Sequence, residues 1–206
     1  MLLRRIIDVS MTVLLILLMS LQVAEHEYHE YIGMVMVFLV IVHIYLNRKW
    51  FSSLLKGKYP LMRVLSLTID ISLLIAFMLS GFSGMIIAET FTFMNIESLT
   101  AWGRSAHIAS SYWSFVLMGL HVGLHWNMVA GRIKSSWPGV IALMLSAYGL
   151  YAFIQSEIIT YMFLINQFVF IDYDKNIFLV FLDNIAMLVF WCAVSYYVSK
   201  LIRRVS

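Results

Sequence analysis

Six histidines lie in or beside two apolar stretches of the chain, and their spacing makes them the residues best suited to chemistry. His29 and His43 are 14 residues apart, and so are His107 and His121. Fourteen residues complete almost four helical turns, so each pair shares one helix face with about 21 Å between its members. Mild left-handed supercoiling brings the two members into line. Two imidazoles on each of two helices therefore predict two metal centres.

Haem iron accepts two axial imidazoles, and helical bundles hold such cofactors in their cores. We expect two b-type haems, one held by His29 and His107 (the outer pair) and one by His43 and His121 (the inner pair). Ionisable residues inside a membrane are costly and mark functional sites. Ligation of iron by neutral imidazole offsets that cost. A simple interhelical hydrogen bond from each histidine is the competing interpretation.

His125 is an alternative to His121 as the inner ligand. It lies 18 residues after His107, which is five full helical turns. The 14-residue spacing favours His121 and leaves His125 for a haem propionate, an inner quinone or a proton path. Asp70 lies at a similar depth and could orient a ligand imidazole or make an ordinary interhelical hydrogen bond.

Small and basic residues complete the predicted haem sites. Flat porphyrins need thin helix surfaces, which Gly33 on the first histidine-bearing stretch and Gly119 and Gly123 on the second would supply. Close helix packing is the alternative use of membrane glycines. Arg104 could contact a haem propionate or act as a topology anchor.

Two groups of residues also have the composition of zinc or copper sites. One is His121-x-x-x-His125, and the other is the stretch EHEYHE at 25–30, which includes His26. For the second group, a solvated acidic loop is the simpler interpretation.

The composition predicts an integral membrane protein. Hydrophobic residues make up 62% of the chain and charged residues 12%, whereas soluble domains are apolar at about half of their positions. A helix needs about 20 apolar residues to cross the hydrocarbon core. Six stretches fit this length, at about 3–22, 29–47, 63–88, 106–130, 138–157 and 177–199. We expect an all-α transmembrane bundle in which residues 1–206 form a single domain, with the haems between spans two and four.

The connection after span five, at about 158–175, is aromatic and apolar and then acidic. A helix lying at the outer interface is the simplest expectation for it. An extension of span five is the alternative.

Basic residues predict the orientation of the bundle. Twelve of the 14 lysines and arginines lie at the start of the chain, between spans two and three, after span four or after span six. The positive-inside rule therefore places both termini in the cytoplasm. Spans two and four then run in the same direction, so the members of each haem-ligand pair lie level. The net charge of +3 fits anionic membrane lipid and does not indicate nucleic acid.

The stretches HEYHEYIGMVMVFLVIVHIYLNRKWF (26–51) and HIASSYWSFVLMGLHVGLHW (107–126) resemble the two signature helices of the flavinylation-associated b-type cytochrome family. The resemblance covers nearly the whole chain and implies a multi-pass protein of the bacterial plasma membrane that binds haem b. His29, His43, His107, His121 and His125 match the motif positions, whereas His26 looks like an addition.

The resemblance implies two activities. Members near flavin-transfer systems imply electron passage to an extracytosolic flavoprotein, which here would be a separate partner because the chain has no flavin-accepting domain. The haem-sensing branch of the family, from anaerobic Gram-positive bacteria, implies haem binding linked to protection from haem or oxidants.

Two functions therefore stand as hypotheses. The first is an electron-transfer cytochrome, a candidate oxidoreductase subunit with a quinol or flavoprotein partner, alone or as a homo-oligomer. The second is a haem-sequestering or haem-sensing protein without vectorial transfer. Bis-imidazole haems favour the first, and a five-coordinate haem favours the second. A metal or small-molecule transporter is disfavoured, because the spans lack broken helices and midplane charge pairs.

Overall fold

The computed structural model describes residues 2–20, 26–90, 97–126 and 137–205. Every regular element in these ranges is a helix, which confirms the predicted all-α class. The helices are α1 (Leu2–Met19), α2 (His26–Leu46), α3 (Lys49–Ser53), α4 (Leu61–Ile87), α5 (Glu97–His125), α6 (Trp137–Gln155), α7 (Ile158–Met162) and α8 (Ile177–Val205).

Four of these helices are long and apolar enough to cross a membrane, as the sequence predicts for a membrane protein. They are α2 from Tyr28, α4, α6 and α8 to Arg204. The first and fourth predicted spans correspond to α1 and α5, which fall outside this set. The N-terminal half of α1 carries Arg4, Arg5 and Asp8, and α5 is rich in histidine and serine.

The packing of α5 explains its polar composition. It lies at the centre of the bundle, between α4 on one side and α8 on the other, while α6 packs against α8. Phe115 of α5 is fully buried, and Ser110 and Ser114 are almost fully buried beside it. Ser110 and Ser114 therefore face other helices, so this part of α5 needs less apolar surface than its neighbours.

Gly119 and Gly123 lie at the contact between α5 and α8. A Cβ at Gly119 would come within 2.6 Å of the Trp191 Cβ, and one at Gly123 within 2.1 Å of the Ser195 Oγ. Neither separation is sterically allowed, so glycine is required for the two backbones to approach. The close-packing alternative thus describes both residues, and neither faces the space between α2 and α5.

Polar contacts near both ends of α2 connect this helix to neighbouring elements. Arg4 of α1 donates a hydrogen bond to the Leu46 carbonyl oxygen at 2.8 Å, and the Glu30 carboxylate accepts one from the Glu89 backbone N–H at 2.8 Å. Among the described side chains of α2, only Met36 is buried. Most side chains of α2 are therefore only partly covered by other described residues.

The predicted outer segment at 158–175 does not form one helix. Glu157 and Leu164 both adopt left-handed backbone conformations, with φ of 53° and 54°, and they bracket the five-residue helix α7. Turns and irregular backbone follow as far as residue 176. Tyr161 of α7 is buried, and Trp113 of α5 donates a hydrogen bond to the Met162 carbonyl oxygen at 3.1 Å. The chain thus folds back onto α5.

Candidate functional site

The outer pair comes together between α2 and α5. The ring centroids of His29 and His107 are 6.1 Å apart, with an interplanar angle of 83°. His107 Nδ1 donates a hydrogen bond to the Ser80 carbonyl oxygen of α4 at 2.9 Å. That bond leaves Nε2 as the nitrogen with a free lone pair. Gly84 of α4 lies against the same ring, because a Cβ there would be 3.2 Å from two of its atoms.

Each member of the inner pair is hydrogen-bonded to a carboxylate on a neighbouring helix. His43 Nδ1 of α2 lies 2.8 Å from Asp8 Oδ1 of α1, and His121 Nδ1 of α5 lies 2.7 Å from Asp70 Oδ1 of α4. Carboxylates accept, so in both histidines the Nδ1 carries the proton and Nε2 keeps its lone pair. In His43 that lone pair faces the Asn47 side-chain amide, whose Nδ2 lies 3.5 Å away. The same chemical arrangement occurs twice on four different helices.

His125 lies beside the inner pair. Its ring centroid is 4.9 Å from that of His121, and donor atoms of Asp70, His121 and His125 lie within 4.8 Å of one another. Asp8 and His43 are also close enough to act on the charge of His125. Helices α1, α2, α4 and α5 thus bring three imidazoles and two carboxylates to one end of the bundle.

These hydrogen bonds give the candidate ligands the geometry expected for metal binding. Metal-ligating histidines almost always donate their second ring N–H to a carboxylate or a carbonyl, which fixes the tautomer and the ring orientation. His43, His107 and His121 all have such a partner. The side chains of Asp70 and His121 are 16% and 25% exposed, so water competes little for this pair.

The described residues leave open space beside Gly33 of α2. Within the described residues, α2 and α5 make almost no direct backbone contact, although both pack against α4. A Cβ at Gly33 of α2 would have no described atom within 4 Å. Metal–imidazole bonds of about 2.0–2.1 Å place the centroids of two trans imidazoles roughly 6 Å apart, which the outer pair matches. The donor set and the open gap are therefore compatible with haem.

The remaining predicted residues contribute less to this site. Arg104 is exposed on α5, one turn before His107. The Glu30 carboxylate accepts hydrogen bonds from Glu89 and Thr90, so it connects α2 to the residues that follow α4. The side chains of residues 25–27 lie outside the described part of the chain, and the proposed metal cluster around His26 lies there with them.

Asp8 is the partner that the sequence analysis missed. It is an acidic residue within the first predicted span, near its inner end, as His43 is near the inner end of the second. A comparison of depths would have paired the two. The Ser80 carbonyl oxygen had no such signal, because every residue carries one, and only the packing of α4 on α5 selects it.

No family model, curated protein or solved structure matches this chain.

Proposed function

We propose that this chain is a membrane b-type cytochrome that binds two haems between α2 and α5 and transfers electrons across the membrane. His29 and His107 would hold the outer haem, and His43 and His121 the inner one. The observation that carries the proposal is that three of these four imidazoles donate Nδ1–H to an oxygen acceptor on a neighbouring helix.

The competing interpretation, isolated interhelical hydrogen bonds, accounts for each of these contacts singly. It gives no reason for His29 to face His107 with 6.1 Å between ring centroids. It also gives no reason for two carboxylate–histidine pairs to lie at one end of the bundle, both near His125. Paired ligands oriented for two irons explain all three features together.

The proposal includes six crossings, with α1 and α5 added to the four apolar helices. The central position of α5 between α4 and α8 supports its inclusion as a crossing. The hydrogen bond from Arg4 to Leu46, which makes α1 antiparallel to α2, supports the inclusion of α1. With six crossings, both termini lie on the side that carries most of the basic residues, the cytoplasmic side.

Haem would supply one-electron chemistry through its iron, and the protein residues would set the conditions for it. Two imidazoles on each iron leave no open coordination site, which favours electron transfer over oxygen chemistry. The carboxylates of Asp8 and Asp70 hold two rings in one orientation, so little rearrangement would accompany oxidation or reduction. Phe115 and Met118 are buried on α5 between the two histidine levels and would exclude water between the two proposed haem sites.

Haem binding for protection against haem or oxidants is the second candidate function. It rests on the resemblance to the haem-sensing branch of the cytochrome family. The coordination of the iron distinguishes the two, because a sensor or peroxide-consuming protein would keep one axial position open.

The test is to purify the full chain in detergent and measure haem per polypeptide by pyridine haemochrome, with a low-temperature spectrum for spin state. We expect two low-spin b-type haems. A single five-coordinate haem would support the protective function instead. Material that stays colourless after expression with ample haem supply would refute haem binding, and stoichiometric zinc or copper in it would assign the Asp70, His121 and His125 cluster to that metal.

A further inference from the structure

A cavity of about 480 Å³ opens at the outer end of the bundle, on the opposite side of α5 from the outer pair. Helices α1, α5, α6, α7 and α8 and the irregular segment 163–176 enclose it. Its volume falls within the range of about 300–1,000 Å³ typical of small-molecule sites. The histidines described above do not line it, so it is a separate site.

We propose that this cavity binds the head group of a membrane quinol that donates electrons to the outer haem. The inference rests on the proposed electron-transfer function and names its partner. Its support comes from the aromatic wall of the cavity, the charges of its lining and its distance from His107.

The aromatic wall suits a planar ring. Tyr112 of α5 and Tyr161 of α7 stack with ring centroids 5.0 Å apart and an interplanar angle of 19°. Phe170 lines the cavity and is 84% exposed. Met19 and Met187 add flexible apolar surface. Ring stacking and apolar contact are the interactions that a quinol head group and its lipid tail need.

The charges of the lining favour an uncharged ligand that releases protons. Lys175 Nζ pairs with Asp183 Oδ2 at 2.5 Å, and the Tyr148 hydroxyl donates to the other oxygen of Asp183 at 2.6 Å. That pair is neutral overall, which leaves the carboxylates of Glu157 and Asp172 as net negative charge in the lining. Phosphate-bearing lipid or nucleotide head groups would be repelled.

The oxidation of the quinol balances in protons and electrons with the cavity carboxylates and the two proposed haems. A quinol loses two protons and two electrons and becomes a quinone. Glu157 and Asp172 are placed to accept the protons and to pass them to outer water. The two electrons reduce two ferric haems in successive one-electron steps.

The distance to the outer pair permits this transfer. Tyr112 follows His107 by five residues on α5, which is a rise of about 7.5 Å and a rotation of about 140° around the helix. The cavity and the outer haem site are therefore separated by about one helix diameter, 10–12 Å.

The experiment is calorimetric titration of the full-length protein in detergent with 2,3-dimethyl-1,4-naphthoquinone. We expect one site per chain. Val169→Trp places an indole inside the cavity from the irregular segment, and we expect it to weaken binding about tenfold or more. Ile165→Trp is the matched control, because Ile165 lies on the same segment, is 71% exposed and does not line the cavity.

Glu157→Gln should keep quinone binding and slow haem reduction by the quinol form in stopped-flow mixing.

Absence of binding to wild-type protein, or equal affinity in Val169→Trp and the control, would overturn the inference. The titration does not depend on haem. A colourless protein that binds the quinone at this cavity would refute the cytochrome proposal and electron donation to haem, and would leave the binding site itself standing. A di-haem protein that does not bind it would refute the quinol site alone.

Discussion

Asp8 of α1 holds His43 of α2 by the same hydrogen bond with which Asp70 of α4 holds His121 of α5. The two Nδ1–Oδ1 distances are 2.8 and 2.7 Å. His107 of the outer pair instead donates to an uncharged carbonyl oxygen. The proposed inner centre would therefore have a carboxylate hydrogen-bonded to each of its two ligands, and their negative charge would stabilise ferric iron. We expect the inner haem to have the lower reduction potential.

Removal of either carboxylate charge should change the inner haem selectively. Asp8→Asn and Asp70→Asn should each raise the lower of the two potentials and weaken haem affinity at that site by about 10- to 100-fold. Redox titration followed by optical absorbance measures the potentials, and competition with apomyoglobin measures the affinity. Asp174→Asn, on the irregular outer segment, is the control and should change neither. Equal movement of both potentials would contradict the assignment of these carboxylates to one centre.

The choice between His121 and His125 can be made by substitution. His121 has the carboxylate partner that ligating histidines usually have, and His125 lies exposed beside it. We expect His121→Ala and His43→Ala each to remove about half of the reduced b-type absorbance, since each would empty one of the two proposed sites. His125→Ala should retain full haem content. The reverse result, with loss in His125→Ala and retention in His121→Ala, would make His125 the inner ligand.

The sequence predicted the helical class, the membrane character and the pairing of His29 with His107 because these follow from composition and helical periodicity. The same periodicity, applied to Gly119 and Gly123, would have placed them correctly. Each lies two residues from His121, a rotation of 200°, and so on the opposite face of α5. Proximity to His121 in the chain suggests a contact with haem, whereas the direction in which each glycine faces decides what it contacts.

Other features depend on packing that periodicity does not specify. The left-handed conformations at Glu157 and Leu164 end α6 and α7 in a stretch whose composition suits a helix. The four-helix cluster around His125 likewise depends on which helices are neighbours in space. Several long helices allow many arrangements, and the central position of α5 follows from its contacts with α4 and α8.

Open space beside Gly33 gives a direct test of cofactor placement. A side chain there meets no described atom within 4 Å, so Gly33→Leu should leave the fold intact while it occupies the volume that we assign to a porphyrin. We expect lower haem content with an unchanged thermal midpoint in circular dichroism. Gly139→Leu is the matched control, because that glycine also has no described neighbour within 4 Å and lies on α6. Equal haem content in the two variants would place the cofactor elsewhere.

Gly123 should behave in the opposite way to Gly33. A Cβ at this position would lie 2.1 Å from the Ser195 Oγ and 2.2 Å from the Cys192 carbonyl oxygen, so Gly123→Ala must push α5 and α8 apart. Overpacking of this kind costs about 1–3 kcal/mol, and the thermal midpoint in detergent should fall. Because the proposed ligands of both haems include residues of α5, the two haem signals should decline together as the protein unfolds. Selective loss of the inner signal at an unchanged midpoint would instead show that Gly123 contacts the inner haem.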